Sequence, residues 1–163
     1  MIGRHVCEWA SANLSENARK IDVCLAKLSN DQVWERGSAE ENAIGNLVLH
    51  LCGNVTQYFV SGVGGAEDTR ERDGEFNASG GLDVGALRAL LARTMSDVLA
   101  VLAAVAVERL MDVIRVQNRD ITMIHAILKS TEHFGMHTGQ IIAATKRLTQ
   151  QPVGFFTHNR WPA

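Results

Sequence analysis

The sequence predicts an all-α fold, and within that class a four-helix bundle. Four segments place apolar residues at helical spacing, and no group of segments shows the alternation typical of paired strands. The chain has 163 residues, of which 46% are hydrophobic, enough for one substantial core. Because amphipathic helices bury their apolar faces against one another, we expect residues 1–163 to form a single domain.

The first two helices are predicted in the N-terminal part of the chain. The first runs over residues 15–28, where apolar residues recur at helical spacing before a turn-forming segment. A connector follows, in which Trp34 covers one end of the core. Asn42 can then cap a second helix that continues to Val60.

The other two helices are predicted in the C-terminal half. The third begins at residues 82–83 and carries a broad apolar stripe of leucine, valine and methionine. Residues 109–119 alternate loosely and are either extended or a short irregular crossover. Asp120 or Thr122 then caps the last helix, which runs to Thr149.

A long loop, residues 62–81, separates the second and third helices. It is rich in glycine and charge and poor in apolar residues. Loops longer than about 12–15 residues are often functional, so a lid over a binding site and a passive linker both remain open. The glycines do not form a phosphate-binding loop, because no Gly-Lys-Ser/Thr sequence or helix start follows them.

Composition excludes several classes of partner. The net charge is −2, and the 16 basic and 18 acidic residues are scattered, so no basic tract marks a nucleic-acid interface. Three cysteines without Cys-x-x-Cys spacing, and no signal segment, favour the reducing cytoplasm. The longest apolar stretch, residues 98–107, is about half of the ~20 residues that span a bilayer, so we expect no membrane insertion.

Two histidines in the last predicted helix carry the strongest functional signal. His133 and His137 are four residues apart, so their side chains lie on one face and can bind the same divalent ion. His50, in the apolar middle of the second helix, is the leading candidate for a third ligand. A lone histidine on an apolar face is more often a hydrogen-bonded core residue, but the neighbouring pair favours the ligand interpretation.

Amide side chains lie near both parts of this candidate site. At 100° per residue, Gln140 lies about 20° from His133 on one side and His137 lies about 40° from it on the other. Asn46 precedes His50 by about one turn. Asn46 and Gln140 are therefore candidates for orienting the ligands from a second layer.

The predicted donor set consists of three imidazoles without a carboxylate or thiolate. Such a set leaves a coordination position open for water or substrate and suits zinc, nickel or iron(II). Cys52 points about 160° away from His50 and is better explained as a core residue. The sequence lacks a His-Glu-x-x-His or Gly-x-Ser-x-Gly motif, which argues against a metalloprotease or a serine hydrolase.

Several motifs together resemble a known group of proteins. Residues 44–50 read Ile-Gly-Asn-Leu-Val-Leu-His, and residues 133–142 read His-Phe-Gly-Met-His-Thr-Gly-Gln-Ile-Ile. With the glycine-rich residues 60–65 and the Arg-x-Arg-Asp-x-Glu-Phe of residues 70–76, they resemble the DinB-like superfamily, and most closely an uncharacterised bacterial branch of it. The resemblance covers nearly the whole chain.

The resemblance implies more than the residues alone. It implies a four-helix bundle, a homodimer, and a divalent metal, with zinc or nickel ahead of iron, held by His50, His133 and His137. Characterised relatives include maleylpyruvate isomerases and thiol S-transferases that use mycothiol or bacillithiol. A small-molecule substrate and a low-molecular-weight thiol are thereby implied here, with residues 62–81 shaping access. Arg70 or Arg72 could meet an anionic substrate, although a solvated loop arginine is the commoner case.

Three functional hypotheses follow. The chain is a metal-dependent transferase or isomerase that uses a small thiol, or a metal-binding or stress-response module without turnover. In the third hypothesis it is a structural, dimeric bundle whose histidines only satisfy hydrogen bonds in the core. Bound metal separates the third hypothesis from the others, and activity that depends on a thiol separates the first from the second.

Overall fold

The computed structural model describes residues 2–155 and contains five α-helices and one antiparallel pair of strands. The predicted domain of residues 1–163 extends slightly beyond this range. The helices are α1 (Ile2–Leu25), α2 (Ile44–Val55), α3 (Arg72–Asn77), α4 (Val84–Ala104) and α5 (Met123–Thr149), and the strands are β1 (Val113–Val116) and β2 (Arg119–Thr122). The prediction of a mainly helical protein is confirmed.

The four long helices enclose the apolar core. α1 packs against α4 and α5, and α2 packs against the same two helices from the other side. Their buried apolar side chains form one connected cluster. The cluster includes Phe59 at the end of the second helix and Phe134 in α5, both fully buried. None of the helices within residues 2–155 is long and apolar enough to cross a bilayer.

α1 begins thirteen residues before its predicted start at residue 15, so that boundary was wrong. Cys7, Ala10 and Leu14 are buried at helical spacing, and they extend the apolar stripe back towards the N-terminus. The error arose because Cys7 and Ala10 are small and lie among polar residues, so the hydrophobic periodicity of residues 2–14 is weak. Arg4 holds this first turn by donating from Nη2 to the carbonyl oxygen of Val105, 3.2 Å away, just beyond the end of α4.

The second helix differs from its prediction at both ends. Its cap position is Ala43 rather than Asn42, and the backbone N–H of Ala43 donates to Oδ1 of Asn46 at 3.2 Å. Beyond Val55 the backbone continues as a π-helix over Thr56–Val63, where the N–H of Gly64 donates to the carbonyl of Phe59, five residues earlier. π-helical turns are rare and often occur at functional sites.

The predictions for the C-terminal half need one correction. Asp83 caps α4 and Thr122 caps α5, and α5 ends at Thr149 as predicted. The expectation of no paired strands was wrong, because β1 and β2 form a hairpin that begins within residues 109–119, predicted as extended or irregular, and continues to Thr122. Gln117 and Asn118 make its turn with φ of 50° and 60°, the left-handed conformation that two-residue hairpin turns require.

The predicted long loop contains α3 and is docked on α2. Asn46 donates from Nδ2 to the carbonyl oxygens of Glu75 at 2.9 Å and Ala78 at 2.7 Å. The Trp34 indole donates to the carbonyl oxygen of Leu82 at 2.8 Å and so holds the far end of the segment. These bonds place the short helix beside His50.

Candidate metal centre

The structure brings the three histidines singled out by the sequence to one place. α2 carries His50, and one face of α5 carries His133 and His137. One nitrogen from each ring lies within 4.8 Å of the corresponding nitrogens of the other two. The Nε2 atoms of His50 and His133 are 2.9 Å apart. Three imidazoles from two packed helices therefore converge on one point.

Glu75 fixes the orientation of His50. The Nδ1 atom of His50 lies 3.0 Å from Oε2 of Glu75, a carboxylate that only accepts when ionised. Nη2 of Arg70 is also 3.1 Å from this Nδ1, but it donates to Oε2 of Glu75 at 2.8 Å. Neutral His50 therefore carries its proton on Nδ1 and its lone pair on Nε2, the nitrogen that faces the other two histidines. A carboxylate behind a metal-binding histidine is a recurrent arrangement in metalloproteins.

Arg70 holds Glu75 in its ionised form. Nε and Nη2 of Arg70 donate to the two carboxylate oxygens at 2.7 and 2.8 Å, and the two side chains are only 4% and 9% exposed. Burial alone would raise the pKa of Glu75, but hydrogen bonds from Arg70 and His50 outweigh it and hold the pKa below its ordinary value. Arg70 also donates from Nη1 to Oε1 of Gln57 at 2.8 Å.

Gln140 plays the corresponding part for His137. Nδ1 of His137 lies 2.6 Å from Oε1 of Gln140. Since an amide oxygen accepts, Nδ1 carries the proton and Nε2 keeps its lone pair. Burial lowers the pKa of His137; the Gln140 hydrogen bond opposes that shift, and the neighbouring His50 adds to it.

His133 is held in its neutral form. Burial, followed by its neighbours His137 and His50, lowers its pKa to about 4. Without an ion, its Nε2–H can donate to the lone pair of His50 across the 2.9 Å contact. With the proton of His133 on Nδ1 instead, three imidazole lone pairs would face one point. This donor set fits a divalent ion such as zinc, nickel or iron(II).

The two predicted supporting amides have different positions. Gln140 contacts His137 directly, as described above. The side chain of Asn46 hydrogen-bonds to none of the three histidines, and instead its amide donates to backbone carbonyl oxygens of α3 and of Ala78 just after it. Its effect on His50 passes through Glu75. Cys52 is buried, and burial raises the pKa of its thiol to about 11, so it offers no thiolate to the site.

Sequence reasoning missed Glu75 and misjudged Arg70. Arg70 was expected to be a solvated loop residue, whereas its side chain is nearly buried against the Glu75 carboxylate. Both residues belong to the Arg-x-Arg-Asp-x-Glu-Phe segment that was singled out for its resemblance. The sequence offered only an acid five residues after an arginine, and the docked segment shows that both side chains face His50.

A cavity of about 410 Å³ opens beside the three histidines. Besides the histidines, its lining comprises Asn42, Asn54, Tyr58, Arg72, Phe76, Gln117, Lys129 and Ser130. This volume is within the range of about 300–1,000 Å³ that small-molecule sites occupy. The site therefore combines a possible ion position with room for a ligand.

Fold and site together define a helical protein with a histidine triad that could hold a metal ion. Residues 2–159 match the model of a family described as a protein of unknown function, DUF1572, and the chain belongs to that family. No curated protein matches the sequence.

One solved structure shows the same fold. It is the crystal structure of a conserved protein from Enterococcus faecalis, with a TM-score of 0.76 over 88% of this chain and 97% of that chain. The two sequences are 14% identical. At that identity the likeness establishes a shared fold and carries no information on function.

Proposed function

We propose that this protein is a DinB-like four-helix bundle that binds one divalent metal ion through His50, His133 and His137. The observation that carries the proposal is the convergence of three imidazole nitrogens within 4.8 Å. Glu75 and Gln140 support it, because each accepts a hydrogen bond from the outer nitrogen of one histidine and leaves the inner nitrogen free. Zinc or nickel is the expected metal, with iron(II) as the next choice.

The metal site is proposed to serve a transferase or isomerase that uses a low-molecular-weight thiol. When bound, the ion would supply a Lewis acid that favours the anionic form of a thiol. The chain itself has three cysteines, and Cys7, Cys24 and Cys52 are all buried and unpaired. A reactive thiol must therefore enter as a small molecule, and the 410 Å³ cavity provides space beside the histidines.

We further propose a homodimer in the cytoplasm. Ile2, Trp9 and Leu128 are large, exposed apolar residues that line a groove between α1 and α5. Apolar groups of this kind are often covered by a second subunit. The unpaired cysteines suit a reducing compartment. Sedimentation velocity on the full chain at micromolar concentration tests the dimer directly.

Metal content tests the central proposal. Protein produced without a histidine tag is assayed by elemental mass spectrometry, beside the His133→Ala/His137→Ala variant. We expect close to one divalent ion per chain in the natural protein and almost none in the variant. Absence of metal from both, even after incubation with zinc, nickel or iron(II), would refute the metal site.

Thiol-dependent turnover tests the proposed reaction separately. The metal-loaded protein is offered a small thiol together with electrophilic substrates, and loss of the free thiol is followed. We expect consumption that requires both metal and an intact His50. Stoichiometric metal without any thiol-dependent reaction would favour a metal-binding module without turnover.

A further inference from the structure

The cavity beside the histidines contains two cationic side chains and no acidic one. Arg72 and Lys129 both line it, whereas none of its lining residues is an aspartate or a glutamate. Glu75, which lies behind His50, is already neutralised by Arg70. Within residues 2–155, neither Arg72 nor Lys129 forms an ion pair or a side-chain hydrogen bond. These two positive charges therefore have no ion-pair partner among residues 2–155.

The two arginines at the start of the docked short helix, Arg70 and Arg72, have opposite roles. Arg70, just before the helix, is nearly buried and fully occupied by Glu75 and Gln57. Arg72 begins α3, is exposed, and places its guanidinium 4.9 Å from the centre of the Phe76 ring. Phe76 in turn lies 4.6 Å from the His50 ring, measured between ring centres. The Phe76 ring thus contacts both the Arg72 guanidinium and the His50 ring.

Lys129 provides the second cation from a different element. It lies one turn before His133 on α5, partly buried, at the wall of the same cavity. A cation on a half-buried wall beside a divalent ion site is electrostatically unfavourable until an anion binds. A bound anion would therefore reduce the repulsion between Arg72, Lys129 and the ion in the proposed site.

Asn54 adds a hydrogen-bond donor to the cavity wall. The residue is only 5% exposed, and its Oδ1 accepts a hydrogen bond from Ser130 at 2.9 Å. Its Nδ2 donates to no protein group within residues 2–155, and the residue lines the cavity. A donor that is open to the cavity and has no protein partner is available to a ligand that brings an acceptor oxygen.

We infer that the ligand of this cavity is a small organic anion that carries a carboxylate or a phosphate group. Arg72 and Lys129 bind its negative charge, and Nδ2 of Asn54 donates to one of its oxygens. The inference rests on the proposed function in that the anion is taken to be the substrate of the same site. It goes further by naming the chemical class of the ligand and the residues that select it.

Binding of simple probes tests this inference. Succinate and methyl phosphate represent the two anion classes, and succinamide is the neutral counterpart of succinate. Dissociation constants are measured by calorimetry at constant ionic strength, on metal-free and on zinc-loaded full-length protein. The variants are Arg72→Gln and Lys129→Gln. Their matched controls are Arg93→Gln in α4 and Lys146→Gln in α5, exposed positions that do not line the cavity.

We expect at least one anion to bind to the zinc-loaded natural protein and succinamide to bind far more weakly. Each cavity variant should weaken anion binding roughly tenfold, the effect of losing one charge-assisted contact, while the controls leave it unchanged. The class that binds more tightly identifies the group on the natural ligand. Failure of both anions to bind, or equal binding in cavity variants and controls, would overturn the inference.

Measurements with and without zinc distinguish a failure of this inference from a failure of the proposed function. If the protein takes up zinc but anion binding is the same in the Arg72 and Lys129 variants, the metal site is retained and the anion site is refuted. If the protein takes up no zinc but the metal-free protein binds an anion, and both variants abolish that binding, the anion site is retained and the metal site is refuted.

Discussion

Two parts of the chain build the candidate metal centre in different ways. α5 supplies His133 and His137 from a regular helix whose inner face is packed into the core. The segment between the second helix and α4, residues 64–83, supplies Glu75 from a short helix flanked by irregular chain. The helix sets where the imidazoles lie, and the docked segment sets how His50 presents its nitrogen. Position and orientation of the ligands therefore have separate structural origins.

The two regions also differ in what holds them. α5 is stabilised by apolar contacts with α1 and α2, none of which requires the three histidine rings. Residues 64–83 depend on a few polar anchors, chiefly the Arg70–Glu75 pair and the amide of Asn46. Changes at the histidines of α5 should thus affect metal binding far more than stability. Changes in the docked segment should affect metal binding and stability together.

The largest effect is expected at His50, the ligand that joins the two regions. His50→Ala leaves only the α5 pair, and two imidazoles are a poor site, so zinc affinity should fall by more than about a hundredfold. Competition with a chromophoric zinc chelator measures the affinity, and circular dichroism verifies the helical content. His125→Ala, an exposed position on α5, is the matched control and should bind zinc normally. Unchanged affinity in His50→Ala would remove that residue from the site.

Glu75→Gln tests the orienting role of the docked segment. The amide keeps the shape but loses the charge, so we expect a decrease in zinc affinity of about 10–100-fold. Because the nearly buried Arg70 loses its counter-charge, the free energy of unfolding should also fall by about 3 kcal/mol. Asp73→Asn, exposed on the same short helix, controls for the loss of one acid. Equal zinc binding by the two variants would contradict the orienting role.

Gly53→Ala tests the fit between α2 and the docked segment. An added Cβ at this position would overlap the Glu75 carboxylate and press on Arg70. We expect destabilisation by about 1–3 kcal/mol, measured by urea unfolding, because the segment must shift. Gly139→Ala in α5 is the matched control, since an added Cβ there meets no atom within 4 Å. That change should stabilise the protein by about 0.5–1 kcal/mol, and a similar loss at both sites would refute the explanation.

A smaller effect is expected from pH on the metal-free protein. His133 has a folded-state pKa of about 4, below its ordinary value of 6.5, so the unfolded chain binds the proton first as pH falls. The free energy of unfolding should therefore be greatest above pH 6.5 and decrease as pH falls towards 4. Urea unfolding at a series of pH values measures this slope. The slope should be shallower in His133→Gln, and an identical slope would contradict the depressed pKa.

Zinc binding should weaken over the same acid range, because protons compete for the ligand nitrogens. The depressed pKa values of His133 and His137 extend binding to lower pH than ordinary histidines would allow. Affinity that stays constant to pH 4 would argue against histidine ligands.

The sequence correctly predicted those side-chain positions that depend only on the period of a helix. The four-residue interval between His133 and His137 needs only the pitch of α5, and the limits of that helix follow from its cap at Thr122 and its end at Thr149. His50 required the further assumption that an apolar helix with one histidine faces the pair. The structure places it there, 2.9 Å from His133 between Nε2 atoms.

The remaining features depend on contacts between distant residues. Glu75 meets His50 although they are 25 positions apart in the sequence, because Asn46 and Arg70 dock a segment with no periodic pattern. The hairpin was missed because its strands have four residues each and its turn, Gln117–Asn118, lacks the usual glycine. Local propensity cannot specify either feature, since both are stabilised by the surrounding fold.

X-ray absorption spectroscopy of the zinc-loaded, untagged protein tests the central claim most directly. We expect nitrogen or oxygen scatterers bound to zinc at about 2.0–2.1 Å, with multiple scattering from three imidazole rings. In His50→Ala loaded with excess zinc, the imidazole signal should correspond to two rings. Sulfur scatterers at about 2.3 Å, or an imidazole signal that His50→Ala leaves unchanged, would contradict a metal centre built from these three histidines.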